Sequence, residues 1–430
     1  MGAIKLYYGP GKCFPEPGPG EYPLVTICAA VVFLCLSPFI SGLLVYPALA
    51  LCLLRMVLYD VRVFSIDIAL LSSFSTLFRM GGGDSLLSYY VIAGVLWYSF
   101  RQRQWWAAGL ICLLVMLAYL IVRMKGQFVT VVLIFSGLMS MQLVLVNQTK
   151  LSTAKMSGAF CAGLLVSCIY SLLLRHTWQL KAILGHEVPA YFGSHLTRFQ
   201  GLFQDPNYFS VCLLLGVLLM FRLGDYGYIK RVWSWLVIGV FGTCGILTYS
   251  KTFFIFFVVL AIWFVVVLFQ RKQRFWGFVI ILVGAAATAG SVFAVVGERI
   301  LSATDMSDLS TGRTELFVKY LEAVMASGHT FLFGYGLDAP YLRLGPHNLY
   351  IEITYYLGAI GLFLYAVYFF MLLFRVRNQA PGRNKDRFMR YAAPALLLAV
   401  YFTLQGVLAT TFYILMAVAL ASVRLERLGE

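Results

Sequence analysis

The sequence predicts an all-α polytopic membrane protein, and three observations lead there. Of its 430 residues, 61% are hydrophobic and only 12% are charged. A soluble domain carries about 25% charged residues, so half of the usual solvating charge is missing over the whole length. Apolar runs of roughly twenty residues, the length that crosses a bilayer core, recur from Tyr22 to Arg424 between short charged hinges. Helices satisfy their own backbone groups in lipid. Finally, the Lys and Arg residues gather at alternate ends of these runs, as the positive-inside rule requires.

Fourteen apolar segments can be drawn, starting near residues 22, 41, 63, 85, 105, 127, 157, 207, 232, 252, 275, 348, 389 and 407. The first and last pairs are short, so about 12–14 transmembrane helices are expected. Residues 1–21 are polar and rich in Gly and Pro, without a secretory signal, so the first span is expected to act as an uncleaved anchor. The organisation is then a cytoplasmic segment 1–21, N-terminal spans over 22–174 and a first outer loop at 175–206. Central spans over 207–296, a large outer loop at 297–347 and C-terminal spans over 348–424 follow.

Orientation rests on counting. With the N-terminus inside, 22 of the 33 Lys and Arg residues fall on inner segments, including Arg55, Arg62, Arg101, Lys150, Lys155, Arg222 and Arg424. The two long loops are then extracytoplasmic. Loops longer than about 12–15 residues are usually functional or disordered. The second contains an amphipathic stretch, Glu315 to Met325, and reads as an ordered lid. No internal repeat points to an inverted-repeat transporter.

Charge and cysteine content exclude other classes. The net charge of +15 belongs to helix ends, and no soluble basic face with interleaved aromatics offers a nucleic-acid surface. Eight of the nine cysteines lie within apolar runs, and none has a metal-ligand spacing, so they are packing residues without a disulfide framework.

Four blocks on the outer loops carry candidate chemistry. Arg198 to Asn207 closes the first loop; Asp205 and Pro206 read as cap and first position of the next helix, and Gly201 permits a turn. A capped helix explains Asp205 and Pro206 but not an Arg198 placed outside. Thr248 to Lys251 is a short outer hairpin whose lysine either snorkels to headgroups or holds a phosphate. Thr311 to Glu315 places Arg313 in a first helical turn, as a salt-bridge partner or a third cation. Gly334-Tyr-Gly336 leads to Gly345-Pro346-His347-Asn348-Leu349-Tyr350, where a helix dipole favours a neutral imidazole able to act as a base or hydrogen-bond donor.

In this order the blocks resemble the O-antigen ligase and O-antigen polymerase superfamily of membrane glycosyltransferases. Its pattern is Arg-x-x-Gly…Asp-Pro-Asn, Thr-x-Ser-Arg, a Gly-Arg block and Gly-x-Gly…His-Asn-x-Tyr, matched over about residues 195–375. Lys251 stands where the family usually has Arg, a point charge in place of a bidentate fork. The resemblance implies a GT-C-like fold and an inverting, metal-independent transfer with no cofactor. A glycan would pass from an undecaprenyl-diphosphate carrier to a glycan or lipid-linked acceptor on the outer face of a bacterial inner membrane. It also implies His347, Arg198 and Lys251 as catalytic residues, with Arg313, Asn207 and Tyr350 completing a diphosphate and glycan site. Partners would be that donor, the acceptor, the bilayer and a candidate chain-length regulator. A repeat-unit polymerase is preferred to a ligase acting on lipid A–core.

Two competing classes make distinct demands. A flippase or transporter requires ionisable groups deep within spans, where Asp67 is the clearest example. A metal-dependent transferase would use Asp305 and Asp308 as ligands, although two acids three apart in a loop are more often solvated. Tyr335, Tyr341, Tyr350, Tyr355 and Tyr356 are candidates to stack on sugars, against the ordinary role of an interfacial aromatic belt.

Overall fold

The computed structural model describes residues 24–79, 85–101, 109–123, 126–184, 197–270, 313–340, 342, 345–378, 387–404, 406 and 409–426. Helices hold 81% of these and no strand occurs among them, as expected of a helical membrane protein. In chain order they are α1 (Leu24–Leu36), α2 (Val45–Leu58), α3 (Val61–Leu71), α4 (Leu86–Arg101) and α5 (Leu110–Arg123). Next come α6 (Phe128–Asn147), α7 (Lys150–Leu174), α8 (Trp178–Leu184), α9 (Pro206–Asp225), α10 (Arg231–Leu247) and α11 (Lys251–Gln270). The chain continues with α12 (Arg313–Met325), α13 (Gly328–Phe333), α14 (Leu349–Asn378), α15 (Arg387–Val400) and α16 (Thr410–Ser422).

Thirteen of the fourteen expected segments coincide with a helix; the one near residue 275 lies outside the described residues. Among the described residues, five helices (α6, α7, α9, α11 and α14) are long and apolar enough to cross a membrane. Others are shorter than the runs in the sequence because polar groups interrupt them. Between α2 and α3, the Asp60 carboxylate accepts from Arg62 N (3.0 Å) and Val63 N (3.2 Å), which caps α3. The Tyr98 hydroxyl holds the same break through Met56 O at 2.9 Å. One start is corrected in the other direction. Helix α7 begins at Lys150 rather than near 157, because Thr149 and Ser152 form a reciprocal capping box. Lys150 and Lys155 therefore lie within the helix.

Helix α9 is the centre of the bundle. Its apolar window is 94% buried, against 28% for α14, and it packs on α7, α10, α11, α15 and α16. A helix that is apolar all round belongs in such a position. Helix α14 packs on α5, α6, α12, α13 and α16, and it is broken. At Gly358 the backbone turns to φ 67°, ψ −175°, where a side chain would collide with the backbone of Leu332. The carbonyls freed by the break find other donors: Tyr335 N reaches Tyr355 O at 2.8 Å and Gly336 N reaches Tyr356 O at 2.9 Å. The Tyr119 hydroxyl donates to Leu357 O. Irregular backbone is tolerated at a helix break where such partners exist.

The helix ends fall into two groups. Arg62 reaches Asn147 O, Arg101 reaches Val57 O, Arg424 reaches Gln148 O and Arg222 reaches Ser422 Oγ, at 3.3, 3.3, 2.9 and 3.0 Å. These residues are the inner ends of the charge-based scheme. At the opposite end, Arg123 donates to Gly334 O at 2.7 Å and Asn348 to Phe402 O at 3.0 Å. None of these bonds joins an expected inner end to an expected outer one. The ionisable residue noted within a span, Asp67, is paired: its carboxylate receives Arg55 Nε at 2.8 Å and Nη2 at 2.9 Å, both side chains being buried.

Candidate functional site

The site is built on the N-terminus of α9. Asp205 accepts the Asn207 N–H at 2.6 Å and Pro206 occupies the first turn, so α9 starts as its sequence dictates. Ahead of it, Gly201 takes φ 57°, and the Phe209 ring fills the space a side chain would need. Phe199 N donates to Leu247 O at 2.9 Å, which docks the preceding segment against the end of α10. Arg198 is thereby brought to the Thr248–Ser250 turn.

Arg198 Nε donates to Thr248 O at 2.8 Å and Nη2 donates to Asn207 Oδ1 at 2.9 Å. The same Oδ1 accepts from Ser250 Oγ at 3.0 Å. Asn207 thus orients the guanidinium and joins the first two blocks. Thr248 supports them from below through Ser210 Oγ, at 3.1 Å. The turn carries strain at Tyr249, φ 48°, a conformation uncommon outside glycine. Lys251 then opens α11, half-buried, at the same end of the bundle.

The third and fourth blocks join from the other side. Arg313 opens α12 and its Nη1 approaches Thr403 O at 3.4 Å, while Thr252, next to Lys251, meets the Thr403 hydroxyl at 3.0 Å. His347 precedes Asn348, whose side chain caps α14 by accepting Tyr350 N (2.9 Å) and Ile351 N (3.1 Å). His347 has φ 47°. Such a residue persists only when its surroundings hold it there, which occurs at functional sites more often than elsewhere.

Electrostatics couple these groups. Burial lowers the His347 pKa below the ordinary value of 6.5; the nearby Arg313 charge lowers it further and Asp205 partly opposes them. Burial and the Arg313 charge thus favour the neutral imidazole at pH 7. Burial also lowers the Arg313 pKa, with Asp205 acting in the opposite direction. The four sequence blocks are therefore linked: Asn207 joins Arg198 to Ser250, Thr403 joins Thr252 to Arg313, and the Asp205 charge acts on both Arg313 and His347.

Other candidates have different duties. The Tyr350 hydroxyl donates to Leu398 O at 2.9 Å and its ring packs on Phe402 at 4.4 Å, so it ties α14 to α15. Tyr355 and Tyr356 are 3% and 4% exposed, too deep to present a face to a sugar. Tyr335 bonds Ala323 O at 2.8 Å and stacks beside Tyr355. Tyr341, Asp305 and Asp308 lie outside the described residues. Among the described residues, no three His, Cys, Asp or Glu side chains gather as metal ligands.

Glu352 escaped the sequence reading. It is 1% exposed, one turn into α14, and its Oε2 accepts the Gly406 N–H at 2.8 Å. A carboxylate inside an apolar run, five residues after the histidine, was the available signal. Geometrically, the site offers cations, an imidazole whose neutral form burial favours and a buried carboxylate at one end of the bundle. That combination suits an anionic substrate whose reacting hydroxyl must lose a proton. Comparison of the chain with protein-family models, curated proteins and solved structures finds no match.

Proposed function

We propose that this protein is a membrane glycosyltransferase that moves a glycan from an undecaprenyl-diphosphate carrier to an acceptor sugar on the outer face of the cytoplasmic membrane. In this reading it has a GT-C-like fold of about 12–14 spans and polymerises polysaccharide repeat units. The observation that carries the reading is the linkage of the four segments that hold Arg198, Lys251, Arg313 and His347, through Asn207 to Ser250, Thr252 to Thr403, Thr403 to Arg313, and the Arg313 charge beside His347.

The acceptor hydroxyl attacks the anomeric carbon, whose bond to the diphosphate oxygen breaks with inversion. Its proton passes to the neutral His347 imidazole, and the lipid diphosphate departs as an anion. Arg198, Lys251 and Arg313 stabilise the charge that develops on that leaving group, usually the largest catalytic contribution. Asn207 and Thr248 hold Arg198 in advance, so little reorganisation is needed during reaction. Lys251 contributes as a point charge, which does not require the planar fit of an arginine.

The test is transfer by the purified protein in liposomes, supplied with a defined undecaprenyl-diphosphate oligosaccharide. A ladder of longer lipid-linked glycans, unaffected by EDTA, is the expected product. A single product formed only with lipid A–core would make the protein a ligase. Loss of all transfer on EDTA treatment would contradict the metal-independent mechanism. Movement of the lipid across the bilayer without transfer would make it a flippase.

A further inference from the structure

A second feature lies beside the site. A cleft is lined by Arg175, Lys181, Arg198 and Gln200, and among the described residues no acidic side chain lines it. Arg198 is shared: its Nε and Nη2 bond Thr248 and Asn207, while the residue also borders the cleft. Gln200 is 5% exposed, and its Oε1 has no partner among the described residues. An amide turned the other way presents Nε2 instead, a donor for an anion. Three cations and a buried amide around one cavity form a site for a group with several acceptor oxygens, such as a phosphate.

The surroundings identify the kind of molecule that carries the phosphate. Helix α7 is long and apolar enough to span a membrane and ends at Leu174. Its last turn exposes Leu173 to 76%, and Trp178, one turn before Lys181, is 78% exposed. A tryptophan just beyond an apolar span sits at the headgroup level of a bilayer. The cleft cations thus stand at the depth of lipid phosphates, next to side chains suited to acyl chains. A free phosphate would have no use for that apolar border.

We propose that this cleft binds the phosphate headgroup of a membrane lipid, which Arg175, Lys181 and Gln200 receive and Arg198 links to the catalytic end of α9. The inference rests on the transferase reading only for its purpose, delivery of the lipid-diphosphate donor; the binding site itself stands apart from any transfer.

Native mass spectrometry of the full chain, in nanodiscs of neutral lipid, tests it with undecaprenyl diphosphate and with inorganic pyrophosphate as probes. The lipid diphosphate is expected to bind, more weakly as salt rises. Arg175→Gln/Lys181→Gln should weaken it about tenfold or more, since two charged contacts are lost. Trp178→Ser should weaken the lipid probe and leave pyrophosphate unchanged. Unchanged lipid affinity in the double variant, with the protein still folded by its melting profile, would overturn the inference. Equal affinity for lipid and pyrophosphate would overturn its lipid part. Binding that depends on Arg175 and Lys181 in a protein that transfers no glycan would leave this cleft standing and remove the transferase reading.

Discussion

The two ends of the bundle both bury arginines, yet they use them differently. At the expected inner end, Arg55, Arg222 and Arg424 are at most 3% exposed. Arg55 is closed in a bidentate pair with Asp67, and Arg424 is held on Gln148 O. At the expected outer end, Arg198 and Arg313 are only half-buried, and Arg198 borders a cleft. There Arg198 bonds the Thr248 carbonyl and the Asn207 amide, and Arg313 bonds the Thr403 carbonyl with the Asp205 charge nearby. A cation closed against a carboxylate holds helices together. A half-exposed cation beside a cleft is accessible to a ligand. Residue type alone does not separate these roles; access does.

The largest effect should come from the closed pair. Asp67→Ala leaves Arg55 buried without its carboxylate and should cost about 3–5 kcal/mol, read as a lower melting midpoint in detergent. Arg55→Leu/Asp67→Leu should recover most of that loss, because both charges are then gone. If Asp67→Ala were as stable as wild type, the inner end would not be the structural half of this comparison.

A smaller effect should come from Glu352, the buried carboxylate that the outer end uses as a tie. Glu352→Leu removes the acceptor of Gly406 N–H and should destabilise by about 1–3 kcal/mol. Glu352→Gln keeps an acceptor oxygen and should restore much of the stability. Equal melting midpoints for the two variants would show that this bond does not hold the α15–α16 connection to α14.

The smallest effect sharpens the electrostatic side. His347 has a lowered pKa, so the neutral base persists below the ordinary value of 6.5 and is lost only as pH falls through the lowered one. The acid limb of the rate profile should therefore have its midpoint under 6.5. Removing the neighbouring positive charge in Arg313→Gln should move that midpoint up. Asp205→Asn, which keeps a capping side chain, should move it down. A profile indifferent to both variants would disconnect His347 from the proton transfer.

Much of the outer end was legible because its signals are local. Asp205-Pro206 announces a helix start, and Gly201 a turn, from neighbouring residues alone. The helices were legible from apolar run length, except where the Asp60 cap or the Thr149 capping box moved an end. What stayed hidden depends on distant partners. The pairing of Arg55 with Asp67 needs two helices to meet, and the destination of the Tyr350 hydroxyl, Leu398 O, is set by how α15 packs. The break at Gly358 looks like any glycine in an apolar run until the Leu332 backbone approaches it. The cleft with Arg175 and Lys181 joins residues that the sequence presents only as charges in a loop.

The measurement that bears most directly on the comparison is transfer by Arg198→Ala in proteoliposomes, at a folded fraction matched to wild type by melting profile. Loss of one preorganised donor to a developing anion costs about 10²–10³-fold in rate. The expected result is a fall of that order with the melting midpoint held and undecaprenyl-diphosphate substrate in excess. Wild-type transfer by a folded Arg198→Ala protein would contradict the account, as would a loss that only follows unfolding.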